Sequence, residues 1–183
     1  MADVFERVIE LFDSTCDKQF ESMQCDIHSL DSASFELNDD SVCADINCYS
    51  DDLRLDFSII ASKGFLMKTN PLIESFDLGS ISFQKDWCLE LANRFLGRLK
   101  NKLLDHGCSL KMGLPVLIEC SSDQEGVSTE DNSVSRVFQT ENNAGCHQVK
   151  CTLKVQQLNP QLELLDYEDE DEDWFDESEL QHL

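Results

Sequence analysis

Cations are scarce in this chain. Of its 183 residues only 14 are Lys or Arg, against 37 Asp or Glu, a formal charge of −23. Phosphate backbones and anionic bilayers are gripped by clustered cations, so this balance argues against nucleic acid and against a membrane surface as the main partner. Long apolar runs are missing too: no stretch approaches the ~18–20 residues of a membrane-spanning helix. The N-terminus carries acids at Asp3, Glu6 and Glu10, where a secretory signal would show a basic start and an unbroken apolar core. A cytoplasmic protein is expected. Among nine cysteines there is no Cys-x-x-Cys, and His28, His106, His147 and His182 complete no zinc-finger spacing. Reduced thiols are therefore expected, several of them filling the core. Cys146, His147 and Cys151 are close in sequence. An alternating strand would turn 147 and 151 to one face and 146 to the other, which disfavours a metal there. No internal repeat is present.

What the chain does have is enough apolar material for one core: 41% hydrophobic residues, with 11 Phe and 2 Trp. Its length suits one domain and a tail. Residues 1–160 are read as the domain and 161–183 as the tail. Residues 166–179 hold 10 acids and no base, and removing them leaves −13 on the remainder. Such a run repels itself, so a solvated, disordered segment is expected. Tyr167, Trp174 and Phe175 sit among those acids, which allows a second reading, docking on a basic groove of this protein or another. Ser121–Ser135 is polar, small and acidic and reads as a long surface loop.

Between these segments the periodicities alternate. Val4, Val8, Leu11 and Phe12 recur at three and four, predicting a helix from Asp3, its cap, to Phe20. Ala33–Leu37, Val42–Tyr49 and Leu53–Ser62 alternate as strands do. In the last, Leu53, Leu55, Phe57 and Ile59 face one way and Arg54, Asp56 and Ser58 the other. Lys63-Gly64 reads as a turn and Phe65–Thr69 as a short partner strand. Pro71 opens a short helix through Phe76, followed by a loop over Asp77–Ser80. A long helix is expected from Gln84 to His106, with Gly107 past its end as a cap. Leu110–Cys120, Arg136–Thr140 and Gln148–Leu158 read as strands, the last two joined by a hairpin at Glu141–Gly145. The order predicts an α+β fold: an antiparallel sheet covered on one face by long helices.

The long helix carries the chemistry. Trp87, Leu91, Phe95, Leu99 and Leu103 form an apolar line at spacing four, widened by Cys88, Ala92 and Leu96; this face packs on the sheet. The opposite face carries Glu90, Asn93 and Gly97, with Arg94, Lys100 and Asn101 around them. Glu90 and Asn93 are three apart and so are surface neighbours. Gly97 follows one turn later, at a cost of about 1 kcal/mol relative to Ala, which close approach by another backbone would explain. Arg94, Arg98, Lys100 and Lys102 place four of the 14 bases within nine residues. The first reading of them is that they complement the negative end of the helix dipole; the alternative is that they soften repulsion toward an acidic partner.

These residues resemble a family. Glu90-Leu-Ala-Asn93-Arg-Phe-Leu-Gly97, a Leu-rich helix end, Gly107, and a strand holding Gly113-Leu-Pro115-Val-Leu-Ile118 are similar to the signature of the CheC/CheX/FliY chemotaxis phosphatases, Glu-x-x-Asn-x-x-x-Gly and then a Gly turn and a strand entered through Pro. The likeness spans residues 84–120 and extends over 136–158. It implies a helix-covered antiparallel sheet and hydrolysis of the aspartyl phosphate of a CheY-like response regulator in two-component signalling. By that resemblance Asn93 would orient the attacking water and Glu90 would meet the regulator's active-site Lys. Gly97, Arg94 and Lys100 would contact the partner. The resemblance also implies no cofactor of the chain's own, with Mg2+ carried by the receiver, and allows a homodimer through sheet edges. Two-site relatives carry a second Glu-x-x-Asn on the first helix. Here the nearest match is Glu10-Leu-Phe-Asp13, and Asp lacks the amide donor, so a CheX-like, single-site chain is expected. The alternative is a non-catalytic adaptor of the same fold, docking a receiver or another signalling partner.

Overall fold

The computed structural model describes residues 4–23, 26–30, 35, 40–71, 81–120, 132–142 and 145–165. The helix α1 (Val4–Glu21) forms where the three-and-four spacing places it. Val8, Leu11, Phe12, Cys16 and Phe20 are buried on one stripe, continued by Thr15, whose hydroxyl donates to the Leu11 carbonyl at 2.7 Å. The strands are β1 (Ile27–Leu30), β2 (Ser41–Tyr49), β3 (Leu53–Ser62), β4 (Lys111–Met112), β5 (Val116–Ile118), β6 (Ser133–Asn142) and β7 (Gly145–Gln157), with helices α2 (Lys63–Thr69) and α3 (Ile81–Asp105) between β3 and β4. The sheet runs β1-β6-β7-β3-β2-β4, with β5 also on β2, and every pairing is antiparallel. This is the α+β architecture expected.

Alternation in β3 holds as read: Leu53, Leu55, Phe57 and Ile59 are buried against the helices. An aromatic chain ties the layers together. Phe20 of α1 lies 5.9 Å from Phe65 of α2, 5.2 Å from Phe95 of α3 and 4.3 Å from Phe138 of β6, and Phe95 lies 5.6 Å from Phe57 of β3. Each such side chain contributes roughly 1.5–3 kcal/mol by leaving water, and their offset and edge contacts fix how the helices seat on the sheet.

Several local readings need correction. Lys63–Thr69 is a helix rather than a turn and strand. Ser62 caps it, its hydroxyl accepting from the Phe65 N–H at 3.3 Å, and Phe65, Leu66 and Thr69 are buried at helical rather than alternating positions. Gly64 answers to crowding there: a Cβ at that position would overlap the His147 imidazole. The strand expected over Leu110–Cys120 is broken into β4 and β5. Pro115 offers no N–H, the Gly113 N–H donates to the Asn47 carbonyl at 2.8 Å, and the register against β2 slips by one residue between the two pieces, a bulge. β6 begins at Ser133, inside the segment read as loop, because Ser135 pairs with Thr152 across the ladder, hydroxyl to hydroxyl at 2.9 Å. β1 was not expected; its four residues are too few to show a period.

The strand expected at Ala33–Leu37 lies outside the described residues except for Phe35, which has no regular structure. The helix after Pro71, the loop to Ser80, the loop over residues 121–131 and the acidic segment from 166 also lie outside them. At the other end of the described chain, Leu162 and Leu164 pack against the core and the Leu165 N–H donates to the His106 carbonyl at 3.0 Å. The boundary drawn after residue 160 therefore falls just before a stretch that packs on the domain.

The expectation of reduced thiols fails at one place: Cys43 and Cys120 are joined in a disulfide. Cys43 pairs with Ile118 in the ladder, and Cys120, two residues on, shares its face, with Cα atoms 5.7 Å apart. The bond closes a separation of 77 residues, beyond any spacing rule. Cys16, Cys48, Cys88, Cys108 and Cys151 are free and buried as core fillers, and Cys146 is free and exposed.

Candidate functional site

The helix α3 is 25 residues long, and its apolar line is buried as the wheel requires: Trp87, Leu91, Phe95, Leu99 and Leu103, with Cys88, Ala92 and Leu96 beside them. It ends in a Schellman turn. Gly107 takes φ +82°, its N–H donates to the Leu104 carbonyl at 2.9 Å, and the Cys108 N–H donates to the Leu103 carbonyl at 2.8 Å. The C-terminal end of the apolar line is thus anchored, and the opposite face of the helix is presented as a ridge.

That ridge brings together the residues picked out in the sequence. Glu90 and Asn93 are half-buried, Arg94 and Asn101 are exposed, and Gly97 and Lys100 are half-buried. The Glu90 carboxylate does not stand alone. Arg94 Nε donates to its Oε1 at 2.7 Å, with the two side chains 44% and 46% exposed. The Arg94 guanidinium also lies 5.2 Å from the centroid of the Trp87 ring. Trp87 in turn donates from Nε1 to the Thr69 hydroxyl of α2 at 3.0 Å. So a chain of contacts runs from α2 through Trp87 and Arg94 to Glu90. Trp87 reads in sequence only as a core residue. The signal for its second role is an Arg seven residues on, two turns along the same line, with Glu90 between.

At Gly97 a Cβ would meet nothing within 4 Å. No backbone of the described chain approaches it, so crowding inside the fold is not the reason for glycine there; the flat spot faces open space. Arg98, beside the ridge, has its pKa lowered by burial first and by the neighbouring Arg94 second. Lys102 turns away to α1, where its ammonium donates to the Ser14 hydroxyl at 2.7 Å.

The near-match on α1 is occupied by structural pairs. Glu10 is held by Arg7 at 2.9 Å, and Asp13 by Arg136 of β6 at 2.7 Å. Cys146, His147 and Cys151 do not converge: Cys151 is in the core, while exposed Cys146 donates to the Gln139 amide oxygen at 3.0 Å. Among the described residues no group of three or more His, Cys, Asp or Glu is placed to hold a metal. A cavity of about 260 Å3 lies elsewhere, between the end of α1 and β1, bordered by Asp17, Glu21, Asp26 and His28. The ridge itself is convex. It can orient a water and meet a cation, but it cannot enclose a small ligand.

With this geometry in place, the chain can be set beside known proteins. No protein-family model and no curated protein matches it. Solved structures do. The chemotaxis protein CheX from Vibrio vulnificus superposes with a TM-score of 0.59 at 14% identity, over 84% of this chain and 100% of that one. The chain has the CheC/CheX-like fold. A CheC-like superfamily protein from Shewanella sp. PV-4 gives 0.55 at 14% identity over 84% of this chain and 99% of its own. CheX of Borrelia burgdorferi, in its complex with CheY, BeF3 and Mg2+, gives 0.57 at 12% identity over 81% and 97%. The CheX-like fold extends over nearly the full length of these neighbours, as the resemblance over residues 84–120 leads one to expect. Among the described residues no helix is long and apolar enough to cross a membrane.

Proposed function

We propose that the α3 ridge docks a phosphorylated CheY-like receiver domain and hydrolyses its aspartyl phosphate. The observation that carries this reading is that Glu90 and Asn93, both half-buried, stand three residues apart on the same face of α3, with open space over Gly97 one turn on. The CheX-like fold supports it. An acyl phosphate is already activated, so the reaction needs little beyond a placed nucleophile. The Asn93 amide donates with its nitrogen and accepts with its oxygen at once, so it can hold a water in line with phosphorus. The water oxygen attacks, the bond from phosphorus to the receiver's carboxylate oxygen breaks, and inorganic phosphate leaves with the water's proton lost to solvent. Glu90 meets an ammonium of the receiver. Its pair with Arg94 is exposed and worth only about 0.3–0.5 kcal/mol, so it does not bar that contact. Gly97 lets the receiver backbone approach, and Arg94 and Lys100 offset the mutual repulsion of two acidic proteins. Mg2+ is supplied by the receiver, in the cytoplasm where two-component receivers work. The homodimer that the resemblance allows would form along the β4–β5 edge, where Leu114, Val116 and Leu117 are exposed.

The test follows phosphate release from a phosphorylated receiver. Asn93→Ala should slow release about a hundredfold or more while the far-UV spectrum and Tm stay those of the parent. Equal release by parent and variant would remove Asn93 from the mechanism. The adaptor alternative draws on one observation, that Arg94 already occupies Glu90 Oε1. A tight complex that leaves the lifetime of the phosphate unchanged would decide for it.

A further inference from the structure

Arg94 is engaged on two sides and open on a third. Its Nε donates to Glu90 Oε1 at 2.7 Å, and its guanidinium lies 5.2 Å from the centroid of the Trp87 ring. A guanidinium carries five N–H donors in one plane, so four remain on Nη1 and Nη2. These four have no hydrogen-bond partner among the described residues, and the side chain is 46% exposed. Glu90 is in the same state: Oε1 is used, and Oε2 is left for a visitor. The ring behind Arg94 is fixed. Trp87 is buried, its Nε1 donates to the Thr69 hydroxyl at 3.0 Å, and that hydroxyl donates to the Phe65 carbonyl at 2.9 Å within α2. The tilt of the guanidinium is therefore set from α2. Offsetting the repulsion of two acidic proteins needs none of this, since a loose Lys would serve. A planar donor fork held at a set tilt has a use that a point charge lacks, the bidentate recognition of a carboxylate.

We infer that Arg94 sets the specificity of the ridge: its open Nη edge takes a carboxylate of the receiver while Glu90 Oε2 takes the ammonium beside it, with Trp87 and Thr69 as positioning residues behind. The partner selected is one that presents an acid and an ammonium side by side, the complement of the Glu90–Arg94 pair. The internal pair need not break. Arg94 keeps Nε on Glu90, and four charges alternate in one cluster when the partner is seated. A receiver with the ammonium alone would gain the Glu90 contact and face an unmatched guanidinium. This inference rests on the docking half of the reading above and is independent of the water that Asn93 would hold.

The test measures, by calorimetry, the affinity of the full chain for CheY-like receivers loaded with beryllofluoride and Mg2+, taken from a panel. Arg94→Lys keeps the charge and loses the fork, and should weaken binding about tenfold or more. Replacing the receiver acids near its active-site Lys by their amides, one at a time, should find one whose loss weakens the parent but not the Arg94→Lys chain, the mark of a direct pair. Thr69→Val should move the Arg94 Nε–H NMR signal away from its ring-shifted position and weaken binding about two- to tenfold, and Thr69→Ser should restore both. Arg94→Lys binding like the parent would reduce Arg94 to general charge and overturn the proposal. So would tighter binding by Arg94→Ala, which would make Arg94 a cover on Glu90. Binding is read apart from phosphate release. A parent that binds without hydrolysis therefore refutes the catalytic reading and not this one, whereas a parent that binds no receiver of the panel overturns both.

Discussion

Glu90 is held before any partner arrives, on one side by Arg94 and, through Arg94, by the Trp87 ring. That restraint limits the rotamers of a side chain that would otherwise lose freedom on docking. The observed pairing of this carboxylate within the helix and its proposed contact with a partner's cation separate in Glu90→Gln. Losing the exposed pair should cost only about 0.3–0.5 kcal/mol of stability. Losing a charge-assisted contact to an ammonium should raise KM for the phosphorylated receiver by about tenfold or more, since such bonds contribute roughly 1.5–3 kcal/mol. Denaturant titration and steady-state kinetics read the two separately. An unchanged KM would leave Glu90 with the structural duty alone.

At the scale of elements, α3 was legible because its cues agree: an apolar line at spacing four, a Gly just past its end and basic residues in its last turns. The turn at Gly107 is the point where one residue decides the element. A left-handed conformation costs an L-residue roughly 1–2 kcal/mol, and Leu165 stands 3.1 Å from the added carbon. Gly107→Ala should therefore lower Tm by roughly 3–8 °C, measured by thermal denaturation. The candidate site was legible for the same reason as the helix, because Glu90, Asn93 and Gly97 share one face of it. Its support from Trp87 was not, since that depends on Thr69 in a helix whose Phe and Thr content reads as strand. What misled there was propensity; burial of Phe65, Leu66 and Thr69 against the sheet and α3 overrode it. The break between β4 and β5 escaped for a different reason: a one-residue slip in register is set by the partner strand, through Asn47 and Gly113, and leaves no local mark. The Cys43–Cys120 link depends on that same pairing.

Taken whole, the molecule stores much of its sulfur where water does not reach. Burial pushes the thiols of Cys48 and Cys88 up to about 12 from an ordinary 9.0, and raises Cys16 and Cys108 as well. In the unfolded chain these thiols ionise at their ordinary value, so on raising the pH the unfolded state loses protons first. For Cys48 and Cys88 that contribution is intact below pH 9 and drains away between 9 and about 12. Urea midpoints measured from pH 8 upward should fall steeply past 9, and Cys88→Ala should flatten the slope. A midpoint flat to pH 11 would contradict the burial.

The shape of the α3 face has a further bearing on selectivity. A lone helix surface has no walls, so the dry surroundings that an in-line displacement requires must be brought by the visitor's own cleft. Small acyl phosphates in solution bring none. On the proposed reading acetyl phosphate should consequently be left untouched at concentrations where phosphate release from a phosphorylated receiver is measured, and a colorimetric phosphate assay with the two substrates side by side would tell.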